Sequence, residues 1–254
     1  MFRPMNAIAS PDLDLEGRIL HAEGYPFARP ACSYLFKEGG MHPLPEDACW
    51  GRLPIIASGS NASPARLLAK FGTGHEIAVT RAKLRHFAVV FAGHFTAYGA
   101  IPATLFPHEG ACSDVWITWL NAEQLTIMHR SEGVISCREA RQRYDFVDLE
   151  GIELQPERQE PVFDAGAYLS RRMLAPEGQP IRFAEVFSGK SDLEARSHRA
   201  TLRLAAALLE PALPFQAFMG RVLSDITERQ RLFEQLTPFT IDRADDLTGS
   251  PIAV

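Results

Sequence analysis

Residues 53–71 constrain the fold of this chain most strongly. Leu53-Pro54-Ile55-Ile56-Ala57 is a short apolar run of the kind that forms a buried strand. It passes directly into Ser58-Gly59-Ser60-Asn61, a loop of small polar residues. Ser63 and Pro64 then open a helix through about Phe71, with Ser63 as N-cap and Pro64 at the first helical position. A strand, a small-residue loop and a helix in that order bring a helix back beside a sheet. They also aim several backbone N–H groups at one point, where an anion or a polarised oxygen can sit. Taken alone, Gly-Ser-Asn is an ordinary turn.

The flanking sequence supplies more sheet. Residues 77–95 carry Leu84, Phe87, Val89, Val90 and Phe91, which fit one or two strands. Ile101 to Phe106 and Asp114 to Leu120 read as two further strands, and Tyr144–Leu154 and Val162–Leu169 as two more, with Gly151 at a bulge or turn. Residues 1–50 are rich in Pro, Gly and acidic residues and read as an irregular extension with at most one short helix, packed on the main domain. Residues 51–190 form that main domain. In residues 191–254 the texture becomes helical. Ser191-Asp192-Leu193-Glu194 resembles a capping box opening a helix to Leu209. Pro211 and Pro214 break it, and a second helix spans about Phe215 to Leu236 with Phe218, Val222, Ile226 and Phe233 on its apolar stripe. That stripe packs on the same chain; a homodimer contact through these helices is the alternative.

Composition narrows the function. With 46% hydrophobic residues in 254, the chain can bury a large core. A net charge of -5, with no basic run, argues against nucleic acid as a partner. No apolar stretch reaches membrane-spanning length, and the N-terminus is too polar for a signal peptide, so a cytoplasmic location is expected. Cys32, Cys49, Cys112 and Cys137 are widely spaced and form no CxxC, which favours reduced thiols over a disulfide or a nucleophile. The histidines form no HxH or HxxxH pair, so no metal site is expected.

Glu132 stands out in the segment Leu125-Thr126-Ile127-Met128-His129-Arg130-Ser131-Glu132-Gly133. Asn121 and Gln124 make a capping box for this helix, and Gly133 stops it. At about 100° per residue, Leu125, Met128 and Glu132 share one face. A carboxylate at the end of an apolar face, and at the negative end of the helix dipole, is expected to have a raised pKa suited to a general base. The bland alternative is a solvated last-turn residue. His129 is expected on a partly exposed face, within reach of Glu132.

Three segments in order resemble the γ-glutamylcyclotransferase-like family: the loop Ser58-Gly59-Ser60-Asn61; Gly99-Ala100-Ile101-Pro102-Ala103-Thr104-Leu105-Phe106-Pro107 followed by Asp114-Val115-Trp116; and the Glu132 segment. Tyr144 and Ala167-Tyr168-Leu169 fit the strands that follow, so the resemblance covers roughly 53–170. Ser58 stands where the family has an aromatic residue, and His129 where it has Asp.

The resemblance implies an α+β fold: a closed or nearly closed mixed β-barrel of about six strands with surrounding helices, to which the C-terminal helical hairpin of this chain is added, since the long N- and C-terminal parts have no counterpart in the small family members. It implies closure of a γ-glutamyl group to 5-oxoproline with release of an amine or amino acid. Glu132 would be the general acid/base, and Ser58, Gly59, Ser60, Asn61, Ala100, Ile101 and Tyr168 would bind the small-molecule γ-glutamyl substrate. No cofactor is implied. The alternative function is a non-catalytic binding or regulatory module for γ-glutamyl compounds.

Overall fold

The computed structural model describes residues 13–134 and 143–243. Helix α1 (Leu15–Glu23) is followed by strands β1 (Tyr34–Lys37), β2 (Gly40–His42) and β3 (Leu53–Ala57), helix α2 (Pro64–Phe71), and the long strands β4 (Ile77–Phe91) and β5 (Ala103–Leu120). Then come helix α3 (Ala122–Glu132) and strands β6 (Tyr144–Leu149), β7 (Leu154–Pro156), β8 (Ala165–Ser170), β9 (Arg172–Leu174), β10 (Arg182–Phe183), β11 (Ser188–Gly189) and β12 (Ala195–Arg196). The chain closes with α4 (His198–Leu209), α5 (Phe215–Ser224), α6 (Ile226–Leu236) and β13 (Thr240–Asp242). No described helix is long and apolar enough to cross a membrane.

The architecture is α+β around one large mixed sheet, whose main path runs β12-β10-β4-β5-β3-β8-β6. The expected closed barrel does not form among the described residues. β6 and β12 end the path without pairing with each other. The two longest strands explain the open shape. β4 and β5, of 15 and 18 residues, make an antiparallel ribbon that outruns its neighbours, which pair with it only in short pieces. The sequence suggests two separate strands where β5 is continuous. The break survives as a bulge: Arg85 pairs with Cys112 and Phe87 with Pro107, so residues 108–111 face His86 alone.

β3 places the first element of the site. It is antiparallel to β5 (Ile55↔Thr118) and parallel to β8 (Ile55↔Gly166), so it is held on both edges. Its side chains alternate between two cores. Ile55 and Ala57 pack with Leu67, Phe71, Trp116, Met128, Phe146 and Tyr168 beneath α2 and α3, while Ile56 joins the larger core on the other side. The helix carrying Glu132 starts as expected: the Asn121 side chain accepts from the Gln124 N–H at 2.8 Å, and the Gln124 side chain accepts from the Asn121 N–H at 3.0 Å. Gly133 ends it in the left-handed conformation, φ 76°.

The terminal segments differ from expectation in detail. The segment before residue 50 holds a hairpin, β1–β2, that joins the sheet through β4 as well as the helix α1. Its four-residue strand is too short to stand out against the surrounding Pro and Gly. Ser191-Asp192-Leu193-Glu194 does not open a helix, because Ala195 and Arg196 pair with β10; Ser197 caps α4 instead, accepting from the Ala200 N–H. The second C-terminal helix is broken at Asp225, which is extended (φ -152°, ψ 178°) and caps α6 through the Glu228 N–H. Phe218, Val222, Leu232 and Leu236 are buried in the main core of the same chain.

Candidate active site

A cleft of about 1010 Å³ opens where the C-terminal end of β3, the start of α2, the end of α3 and the middle of α6 meet. Ser58, Gly59, Ser60, Asn61, Glu132 and Tyr168 all line it. The loop and the carboxylate are joined directly: Asn61 Nδ2 donates to Glu132 Oε1 at 3.1 Å. Gly59 is required by close approach. A Cβ there would lie 2.2 Å from the Tyr25 hydroxyl oxygen, which accepts the Ala103 N–H at 2.8 Å.

Ala100 and Ile101 lie elsewhere. Both are fully buried, and their N–H groups are used internally, by Thr96 Oγ1 at 3.0 Å and His198 Nε2 at 3.1 Å. The neighbouring Pro102 and Ala103 line the cleft in their place. His129 is buried rather than partly exposed, and its Nδ1 meets the Tyr168 hydroxyl at 2.9 Å. Burial holds its imidazole below the usual histidine range. It therefore buttresses Tyr168, and among the described residues it makes no hydrogen bond to Glu132. Cys32 is exposed, Cys49 buried and Cys112 half-buried, all as free thiols outside the cleft, while Cys137 lies outside the described residues.

Lys70 is the site residue that the sequence reading misses. Its Nζ donates to Glu132 Oε1 in a very short contact, to Asn61 Oδ1 at 2.7 Å and to Met128 Sδ at 3.4 Å. The two side chains are 3% and 17% exposed, so the ion pair is shielded. This overturns the expected raised pKa of Glu132. Burial does push the carboxyl up, but the Lys70 charge and the hydrogen bonds from Lys70 and Asn61 more than reverse it, and the net shift is downward. Burial likewise pushes the Lys70 ammonium down, with Glu132 opposing. The sequence signal was present: Arg66 and Lys70 are one turn apart on a helix whose Leu67 and Phe71 face the core.

Tyrosines give the cleft its second character. The chain has five, and Tyr25, Tyr98, Tyr144 and Tyr168 line this one cavity. Burial raises all four phenol pKa values, and the Glu132 charge adds to the rise. At neutral pH they are hydroxyl donors, not phenolates. Buried tyrosines need partners, and three have them within the protein: Tyr25 at the Ala103 N–H, Tyr168 at His129, and Tyr98 at Ser60 and Thr96. His94 also lines the cleft, edge-on to Tyr144 at 5.1 Å between ring centres; burial, and then Arg143, lower its pKa to about 3, so it is neutral. The far wall comes from α6, where Gln230 accepts from Arg143 at 2.5 Å and Phe233 lies under the Arg143 guanidinium at 3.7 Å.

No protein-family model matches this chain, and no curated protein does. Among solved structures it is similar in fold to one described as "Gamma-glutamyl cyclotransferase", with 15% identity, a TM-score of 0.38, and coverage of 72% of this chain and 98% of that one. It is also similar to the uncharacterized protein loc79017 from Homo sapiens, with 14% identity, a TM-score of 0.36, and coverage of 80% and 98%.

Proposed function

We propose that this chain closes a γ-glutamyl group to 5-oxoproline and releases the attached amine, with Glu132 as the proton carrier. The observation that carries this reading is the Asn61–Glu132 hydrogen bond. It ties the carboxylate to the loop of backbone donors within one cleft. The order of the motifs along the sequence supports it independently.

The reaction needs little more than a folded substrate and managed protons, because the nucleophile is intramolecular and effective molarity is high. The neutral α-amine attacks the γ-carbonyl carbon, forming the ring C–N bond. Its proton passes to the Glu132 carboxylate. The carbonyl oxygen gains negative charge and is held by N–H donors of the Gly59–Asn61 backbone. Collapse of the tetrahedral intermediate breaks the original C–N bond, and the proton held by Glu132 goes to the departing nitrogen. The proton count closes without water. Lys70 keeps Glu132 ionised between turnovers. Its ammonium also offsets the charge that builds on the intermediate.

Replacing Glu132 with Gln tests this reading. The variant keeps the size of the side chain and its ability to pair with Asn61. Release of 5-oxoproline across a panel of γ-glutamyl amines should fall at least about 10³-fold in a chain that is still folded at the assay temperature by circular dichroism, with a melting temperature below the parent's because Lys70 loses its counter-charge. Undiminished release sinks the assignment.

One observation favours the second reading, a binding module without turnover. Glu132 is already engaged by an ammonium, and such a carboxylate is a weaker base than a free one. That reading predicts stabilisation by γ-glutamyl compounds with no product from any of them.

A further inference from the structure

Arg66 is left unexplained by ring closure. It sits on the first turn of α2, lines the cleft, and is 8% exposed. Its Nε and Nη1 are buried and have no hydrogen-bond partner among the described residues. The guanidinium packs against two neighbouring rings, with the Phe27 centre at 5.5 Å and the Tyr98 centre at 4.8 Å. Lys70, one turn on, has its charge matched by Glu132; Arg66 makes no ion pair among the described residues. A buried cation with idle donors is costly. Aromatic stacking fixes its plane but satisfies none of its N–H groups, and a planar guanidinium suits a carboxylate.

We infer that Arg66 anchors a substrate carboxylate, the α-carboxylate of a γ-glutamyl compound, in the part of the cleft beside Phe27 and Tyr98. The choice of that compound rests on the function proposed above; the anionic subsite does not. The α-carboxylate and the attacking amine share one carbon. Anchoring the first therefore orients the second, and ring closure depends on that orientation. Arg66 and Glu132 are close enough for the guanidinium to lower the carboxyl pKa, yet they do not bond. In the inferred pose the substrate's α-carbon lies between them, with its carboxylate toward Arg66 and its amine toward Glu132.

The test is calorimetric binding to the non-turnover Glu132→Gln chain. Three probes are used: γ-L-glutamyl anilide, whose one anionic group is the α-carboxylate; its α-carboxamide counterpart; and glutarate. The acid should bind about tenfold or more tightly than the carboxamide. Arg66→Met should abolish that preference, and Arg66→Lys should keep part of it. Because Arg66 has no hydrogen-bond or ion-pair partner to lose among the described residues, and Met keeps contact with the two rings, the melting temperature of Arg66→Met should match or exceed the parent's. Equal binding of acid and carboxamide, a preference that survives Arg66→Met, binding of none of the probes, or a melting temperature well below the parent's each overturns the inference. The two readings fail separately. Turnover with unchanged KM in Arg66→Met removes the anchor and leaves ring closure standing. Arg66-dependent glutarate binding by a chain that cyclises nothing removes ring closure and leaves the anchor.

Discussion

Lys70 sets the direction in which the Glu132 carboxyl pKa moves, and one variant makes that visible. Burial alone would raise the Glu132 carboxyl; the ammonium and its hydrogen bonds set the net direction downward. A depressed carboxyl pKa means that the ionised form, which the proposed reaction needs, is lost as pH falls through a value below the ordinary 4.5. In Lys70→Met the burial remains and the opposing charge is gone, so the acid limb of kcat/KM should move above 4.5 toward neutrality. An unmoved limb contradicts the pairing. Gly59 makes a steric prediction. Gly59→Ala drives a methyl group to 2.2 Å from the Tyr25 oxygen and should cost about 1–3 kcal/mol by denaturant unfolding. Tyr25→Phe leaves the ring carbon Cζ as the nearest atom, at 3.3 Å, and should restore part of that loss. Equal losses in both backgrounds would show that the contact is not the cause. The helix spacing of Arg66 and Lys70 was legible in the sequence, but neither the pairing of Lys70 with Glu132 nor the approach of Tyr25 to Gly59 was, because each joins residues far apart along the chain.

Local chemistry wrote some elements and tertiary pairing wrote others. The helix α3 was readable to its ends because Asn121, Gln124 and Gly133 are self-contained cap signals. Its apolar face was readable too: Met128 is fully buried and Glu132 sits a turn beyond it. Asn121→Ala removes one half of the capping box and should cost about 1 kcal/mol in urea or guanidinium unfolding. Gln124→Ala should cost more, because the same side chain also accepts from Arg52 at 2.9 Å and donates to the Glu76 carbonyl at 2.9 Å. The reverse order would show that the cap, not the bridge to β4, holds the helix in place. Ser191 to Glu194 carried an equally plain capping signal and formed no helix, since pairing of β12 with β10 took the next residues. The break at Asp225 was legible in principle: Asp225 and Glu228 have capping-box spacing inside an apolar period. The bulge opposite His86 was not, since it is set by the registers of two strands.

At the scale of the molecule, strand ends on one side of the sheet and the helix α6 together line a polar cavity. The open sheet leaves the end of β3 uncapped by further strands, and α6 covers it with Gln230 and Phe233. The segment before residue 50 contributes Tyr25 to the lining and Phe27 as a neighbour of Arg66. Global stability should carry the signature of buried neutral histidines. His94 is lowered to about 3 and His198 to about 4, both chiefly by burial, against an unfolded value of 6.5. Below 6.5 the unfolded chain takes up protons that the folded chain refuses, so stability present at neutral pH is lost as pH falls from 6.5 toward those values. His94→Phe should flatten that slope in unfolding measurements between pH 6.5 and the carboxylate range; an unchanged slope would place the proton uptake elsewhere. The central claim is that an amine inside the substrate, and not water, attacks the γ-carbonyl. Turnover of a γ-glutamyl amide in ¹⁸O-labelled water tests it most directly. Ring closure predicts 5-oxoproline with no label and one equivalent of free amine; glutamate carrying ¹⁸O in its γ-carboxylate would contradict it.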